Sequence, residues 1–402
     1  MENRPGCGGG SLCKVWFGDK NCNIGDNNMR INEFKLEKWL NPRDEGCKYN
    51  LGASCVKAFT VEELFDFIGE DCGKFLKEVE KMSLHYGHFF GFRRLLEAIS
   101  KMYREVTSDM ILTVHGGTGA NNMVITELLE PTDNVVIFMP NYQQHYSIPE
   151  SMQVEIRYIE LKEENGYLPD LDELRGLVDS NTKMILLTNP NNPTGSYIEE
   201  DMLREIGKIA EKVNAYILCD EIYRGLGDDY MASIVDVYEK GIATSSTSKV
   251  FSMAGTRVGW VVTRDRNTYE RLQNRRSYDT ICGGVFDEWI TAIAFENYEK
   301  ILSRSREIVG ENKEILDKWL ETQPHLSCQY KSLSSTVFIK YDFDIPSDEL
   351  CLDIYEKTGV LLCHGDCFEI PYTFRLGYGF GKPEMLKEGL RLLGDYFTKM
   401  EK

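Results

Sequence analysis

Between residues 110 and 263 the chain alternates short, almost unbroken apolar runs with amphipathic helical stretches, and no other feature limits its fold as strongly. The runs 110–114, 134–139, 183–187 and 215–219 are each five or six residues long and carry few polar side chains. Strands buried on both faces have this texture, whereas half-exposed strands alternate polar with apolar. The stretch 199–212 places Met202, Leu203, Ile206, Ile209 and Ala210 on one helical face. Further strands are expected at 242–247 and 259–263. Strands alternating with helices build βαβ units, so the expected class is α/β, a mostly parallel sheet with helices on both faces. After about residue 290 the pattern changes: a long polar helical stretch, 297–320, leads to strands near 336–341 and 374–377. That change predicts a second, smaller α+β domain. Near the amino end, Thr60 is positioned to cap a helix opening at Val61.

The chain has 402 residues, enough for two or three domains. Its 64 acidic and 46 basic side chains give a net charge of −18, which repels phosphate backbones and anionic membranes and argues against nucleic acid or a membrane as partner. No run approaches the roughly 18 apolar residues of a transmembrane helix, and the first residues lack the apolar block of a secretory signal. A cytoplasmic protein is therefore expected, with its twelve cysteines reduced and packed as small hydrophobes. Cys7, Cys13 and Cys22 in the Gly-rich leader, and Cys363 and Cys367 around His364 and Asp366, lack the paired spacing of a zinc site, and no metal is expected.

In an open parallel sheet, ligands gather beyond the carboxyl ends of the strands. Four features fall there. His115-Gly116-Gly117-Thr118-Gly119-Ala120 joins a strand to helical 124–129; glycines let backbone approach an anion, and a helix amino terminus offers unpaired N–H groups. A plain strand-to-helix turn satisfies the same pattern, and Asn122 stands where a dinucleotide fingerprint needs its last glycine. Asn189-Pro190-Asn191-Asn192-Pro193-Thr194-Gly195 is either a tight turn or a support for the Asn192 amide. Asp220 closes a strand with Tyr223 three residues on; a carboxylate there is costly without a cation beside it, whether a structural ion pair or a pyridinium nitrogen. Ser245-Ser246-Thr247-Ser248-Lys249 ends another strand, eight residues before Arg257. Lysines are mostly solvated, but one made nucleophilic by desolvation and nearby cations can form a Schiff base, and Arg257 would add a forked phosphate clamp. Together the four describe a phosphorylated ligand with a cationic aromatic ring and an aldehyde, which is pyridoxal phosphate.

These motifs, in this order and spacing over most of residues 30–400, resemble the class I/II aminotransferases of the aspartate aminotransferase superfamily. The resemblance implies the three-layer fold of pyridoxal-phosphate-dependent transferases and a role for each matching residue. Lys249 would bind the cofactor covalently and, once freed, shuttle the proton between substrate Cα and cofactor C4′. Asp220 would keep the ring nitrogen protonated, and Asn192 and Tyr223 would hydrogen-bond the ring hydroxyl. Gly117, Thr118, Ser246 and Arg257 would bind the phosphate, and Tyr142 would stack on the ring. Tyr86, five residues before Gly91, matches a tyrosine that reaches the neighbouring subunit's phosphate, which implies a homodimer with shared active sites. Arg375 would clamp the substrate carboxylate.

One departure stands out. Where the family carries a Gly-x-Pro loop, this chain has Asn50-Leu51-Gly52-Ala53-Ser54-Cys55, with Gly52 kept at the substrate site and the proline missing. This stretch and Tyr142-Gln143-Gln144-His145-Tyr146 are similar to the subgroup that includes capreomycidine synthase, whose members cyclise a hydroxylated arginine. The expected activity is transfer of an α-amino group between an amino acid and a 2-oxo acid; the alternative is a lyase or cyclase acting on arginine or a hydroxylated arginine. His145, Asp366 and Glu369 are candidates for steering that choice. The expected division is an extension over 1–28, a segment of the small domain over 29–85, the large cofactor-binding domain over 86–290 and the rest of the small domain over 291–402.

Overall fold

The computed structural model describes residues 30–328 and 330–400; Cys7, Cys13 and Cys22 lie outside the described residues. Seven strands form the larger sheet: β1 (Ile111–His115), β2 (Asn134–Met139), β3 (Glu155–Glu160), β4 (Thr182–Thr188), β5 (Tyr216–Asp220), β6 (Gly241–Ser246) and β7 (Val258–Thr263). Across the sheet they run β1-β7-β6-β5-β4-β2-β3. Neighbours are parallel except that β7 runs antiparallel to both β1 and β6.

The unbroken apolar runs have the cause expected of them. Successive side chains point to opposite faces, and here both faces are covered. Val135, Ile137 and Met139 belong to one buried cluster, with Leu186 and Leu218. Val136 and Phe138 belong to the other, with Ile185, Leu187 and Ile217. Helix α2 (Gly116–Leu128) packs in the first cluster and α3 (Glu200–Lys212) in the second. β3 was not anticipated. It is an edge strand reading Glu-Ile-Arg-Tyr-Ile-Glu, in which only Ile156 and Tyr158 reach the first cluster.

A smaller antiparallel sheet, in the order β10-β11-β9-β8, contains β8 (Leu326–Ser327), β9 (Thr336–Tyr341), β10 (Cys363–His364) and β11 (Thr373–Gly377). Its apolar face joins the second cluster through Val337, Ile339, Phe374 and Leu376. Helix α4 (Tyr298–Leu320) is continuous over the long polar stretch. Thr60 caps the helix Val61–Ile68, its hydroxyl accepting from Glu63 N–H while the Glu63 carboxylate accepts from Thr60 N–H; such caps contribute about 1 kcal/mol. Among the described residues no helix is long and apolar enough to cross a membrane.

Candidate active site

The carboxyl ends of β1, β2, β4, β5 and β6 open on one side of the sheet. Because β7 is antiparallel, its amino end opens there too, which brings Arg257 to the same mouth. A cavity of about 370 Å³ lies over these ends. Of the expected residues, Gly52, Gly117, Thr118, Tyr142, Asn192, Asp220, Tyr223, Lys249, Arg257 and Arg375 line it. Ser246 sits just beneath, its hydroxyl 2.7 Å from that of Ser248, which does line the cavity. Tyr86 does not reach it from within the same chain and is 63% exposed.

At one end, α2 begins at Gly116, eight residues earlier than its apolar pattern implied. The reason is steric. Gly116 has φ +70°, and a Cβ there would lie 2.5 Å from Arg257 Nη2, so the guanidinium packs directly on the glycine. Arg257 itself has φ +53°. The outcome is a cradle of helix-terminal N–H groups, Ser248 and a guanidinium, suited to a phosphate.

At the base, Asp220 is 5% exposed. Burial raises its carboxyl to about 6, against the pull of the Asn121 hydrogen bond, the Ile222 N–H and the Lys249 charge. Asn121 Nδ2 donates to Asp220 Oδ2 at 2.8 Å and Ile222 N–H to Oδ1 at 3.1 Å; Thr244 Oγ1 in turn donates to Asn121 Oδ1 at 2.6 Å. A buried carboxylate so placed favours a cationic ring above it.

Lys249 Nζ donates to Ser54 Oγ at 2.9 Å and lies 3.6 Å from Cys55 Sγ. Burial works against its charge, but Cys55 and Tyr223 outweigh burial and the repulsion from Arg375, leaving its pKa raised. Arg375, on the central strand β11, donates from Nη1 to Asn192 Oδ1 at 3.0 Å and from Nη2 to the Gly52 carbonyl at 2.8 Å. A cradle suited to a phosphate, a buried carboxylate, a primary amine and a buried guanidinium thus share one cavity, and the first three have the chemistry to meet the phosphate, cationic ring and aldehyde of the expected ligand.

The residues named as steering candidates are not brought in. His145 is fully buried behind the base, with Nδ1 2.9 Å from Asn141 Oδ1 and Nε2 3.7 Å from Asp220 Oδ2. Burial lowers its pKa to about 3, which makes it neutral. Glu369 is paired with Lys35 Nζ at 2.5 Å, and Asp366 lies 3.3 Å from His364 Nδ1. Cys363 and Cys367 are buried; Cys363 Sγ is 3.3 Å from Arg375 Nη2.

Within the 50–55 stretch expected at the substrate site, Ser54 and Cys55 line the cavity beside Gly52, whereas Asn121 and a helix α1 (Lys35–Asp44) with Glu37, Asn41 and Asp44 were not foreseen there. Asn121 had no signal of its own, because it stands beside Asn122 in a polar turn and only the fold buries it. The face of α1 had none, because a polar helical stripe normally faces water.

Residues 74–393 match the family described as aminotransferase class I and II. Capreomycidine synthase of Streptomyces vinaceus is 24% identical over 363 residues, 90% of this chain and 92% of its own length. Aspartate aminotransferase of Pyrococcus horikoshii is 28% identical over 340 residues, 78% of this chain and 83% of its own. Among solved structures, a PLP-dependent aminotransferase from Streptococcus suis superposes with a TM-score of 0.90 at 38% identity, covering 93% of this chain and 99% of that one.

Proposed function

Because the chain belongs to the class I and II aminotransferase family, whose members use pyridoxal phosphate, we propose that it transfers the α-amino group of an amino acid to a 2-oxo acid. The observation that carries this reading is the convergence of Lys249, Asp220 and Arg375 on one cavity. The N–H groups of Gly117 and Thr118, with Arg257, Ser248 and Ser246 beneath, hold the phosphate. Asp220 holds the ring nitrogen, Tyr142 covers a ring face, and Tyr223 with the Asn192 amide meets the ring hydroxyl. When bound, the cofactor supplies an aldehyde that captures amines and a protonated ring that takes up the electron pair left as Cα loses its proton.

The protein's own groups do the rest. Arg375 clamps the substrate carboxylate with two parallel N–H···O bonds and so sets which bond at Cα faces Lys249. Asn192 Oδ1 and the Gly52 carbonyl fix the guanidinium in that pose. Lys249 Nζ, which donates to Ser54 Oγ, would take up the Cα proton and hold it beside the substrate. Leu36, Leu40 and Ile222 keep water from that proton.

A second reading, a lyase or cyclase acting on arginine or a hydroxylated arginine, is favoured by Ser54 and Cys55, which stand near the position of the missing proline and touch Lys249. It also draws on the similarity to capreomycidine synthase. An amino-acid panel followed by cofactor absorbance and product mass separates the two. Accumulation of the amine form of the cofactor, together with an oxo acid, supports transamination. A cyclic or unsaturated product with no consumption of an oxo-acid acceptor supports the second reading.

A homodimer is part of the proposal. Leu84, Tyr86, Phe89 and Phe90 are exposed, and the 84–87 segment adjoins the 282–285 turn; a second copy covering this aromatic surface would carry Tyr86 to the other phosphate cradle.

A further inference from the structure

The residues α1 contributes to the cavity are Leu36, Glu37, Leu40, Asn41 and Asp44, a spacing that forms one stripe on a helix. Glu37, Asn41 and Asp44 make a polar row within it, about 10 Å from first to last at 1.5 Å per residue. The charged side chains around the cavity are Glu37, Asp44, Asp220, Lys249, Arg257 and Arg375. The proposed cofactor and carboxylate clamp account for the last four. The two that remain are both carboxylates. Among the described residues their side chains meet neutral donors, Tyr142 Oη for Glu37 at 3.2 Å and Asn50 Nδ2 for Asp44, and neither forms an ion pair.

Arg375 is an independent sign of a ligand. It is 2% exposed, and its Nε has no hydrogen-bond partner. A chain of hydrogen bonds links it to the acidic row. Arg375 Nη2 donates to the Gly52 carbonyl at 2.8 Å, Gly52 and Ala53 N–H donate to Asn50 Oδ1 at 3.1 and 2.9 Å, and Asn50 Nδ2 donates to Asp44. The cation that receives the α-carboxylate and the carboxylates along α1 are therefore held in fixed relation.

We propose that Glu37 and Asp44 form a subsite for the cationic end of a basic amino acid, an ammonium or guanidinium group on a stem of several methylenes that lies against Leu36 and Leu40. The inference deepens the function proposed above and rests on it for the placement of the α-carboxylate at Arg375. An acidic side chain would meet two carboxylates with no cation to answer them. A guanidinium offers a carboxylate a rigid fork of donors, and an ammonium offers three.

The test is calorimetric binding to the holoenzyme of acids that lack an α-amino group, 5-guanidinopentanoate, 5-aminopentanoate, hexanoate and glutarate, with cofactor absorbance read alongside so that any imine formed by the 5-amino group is set apart from binding. One or both cationic acids should bind roughly tenfold or more tightly than hexanoate, glutarate should bind most weakly, and the preference should shrink with salt. Whichever cationic acid binds better identifies the group read. Glu37→Gln, which keeps an acceptor for Tyr142, and Asp44→Asn should each cut that preference severalfold and leave hexanoate binding unchanged. Equal binding of hexanoate and both cationic acids, or a preference untouched in both variants, overturns the subsite. If amino transfer proceeds from neutral or acidic substrates with no such preference, the subsite falls and the function stands. If the cationic acids bind preferentially but no amino group is ever moved, the function falls and the subsite stands.

Discussion

Replacing Asp220 with asparagine should stabilise the cofactor-free protein at neutral pH while weakening its hold on the cofactor. Burial raises the Asp220 carboxyl from 3.8 to about 6, so the folded chain binds this proton more tightly than the unfolded chain. The stability from this group is complete below about pH 3.8 and is lost as pH rises through about 6. A gap of roughly two pH units, at about 1.4 kcal/mol each, amounts to about 3 kcal/mol at pH 8 and about half of that at pH 5. His145 offers no relief in this range, since burial keeps its ring neutral down to about pH 3. Asparagine carries no charge and can keep both hydrogen bonds if the Asn121 amide turns over, with the Thr244 hydroxyl reversing to match. Urea unfolding of cofactor-free Asp220→Asn and parent at pH 8 and pH 5 is the assay. The variant should gain roughly 2–3 kcal/mol at pH 8 and about half as much at pH 5, and the extra stability conferred by added cofactor should shrink. A variant no more stable than the parent at pH 8, or a gain of equal size at both pH values, would refute the reasoning.

Lys249→Ala should retain the fold by circular dichroism, lose turnover and lose covalent labelling when borohydride is added with the cofactor. Arg375→Lys replaces a fork held by Asn192 and Gly52 with a point charge, and should raise KM for the amino acid by about 10- to 100-fold, the worth of one or two charged hydrogen bonds; an unchanged KM would remove Arg375 from the substrate site. Gly259→Ala would set a Cβ 2.3 Å from the Gly116 carbonyl carbon, a backbone contact that cannot yield cheaply. It should cost about 1–3 kcal/mol or more by thermal melting and weaken phosphate binding. Phe90→Glu, in the exposed aromatic surface, should shift sedimentation toward monomer and lower cofactor affinity, because Tyr86 would no longer reach a second cradle.

Legibility in the sequence followed how local each signal was. β2 and β9 have the bounds their apolar runs implied, and β4, β5 and β6 differ by a residue at each end, because strands buried on both faces write their burial into consecutive residues. β3 was missed because it is an edge strand whose residues, Ile159 apart, stay partly exposed, and its Glu-Ile-Arg-Tyr-Ile-Glu alternation reads as surface. The start of α2 was misplaced because glycines normally end helices, and the contact that needs them, Arg257 on Gly116, joins segments more than a hundred residues apart.

The site divides in the same way. Asn192, Asp220, Tyr223, Lys249 and Arg257 lie within a few residues of strand termini, and strand termini on one side of a sheet converge wherever the topology is parallel; a linear pattern was enough to gather them. The antiparallel turn of β7 that admits Arg257, the burial that separates Asp220 from an ordinary aspartate, the removal of His145 to a place behind it, and the presentation of Glu37 and Asp44 to the cavity all depend on what stands opposite each residue in space. A sequence states which side chains a helix or strand carries, but the field and the neighbours that each side chain meets are set by segments remote in the chain, and only the packed structure brings those together.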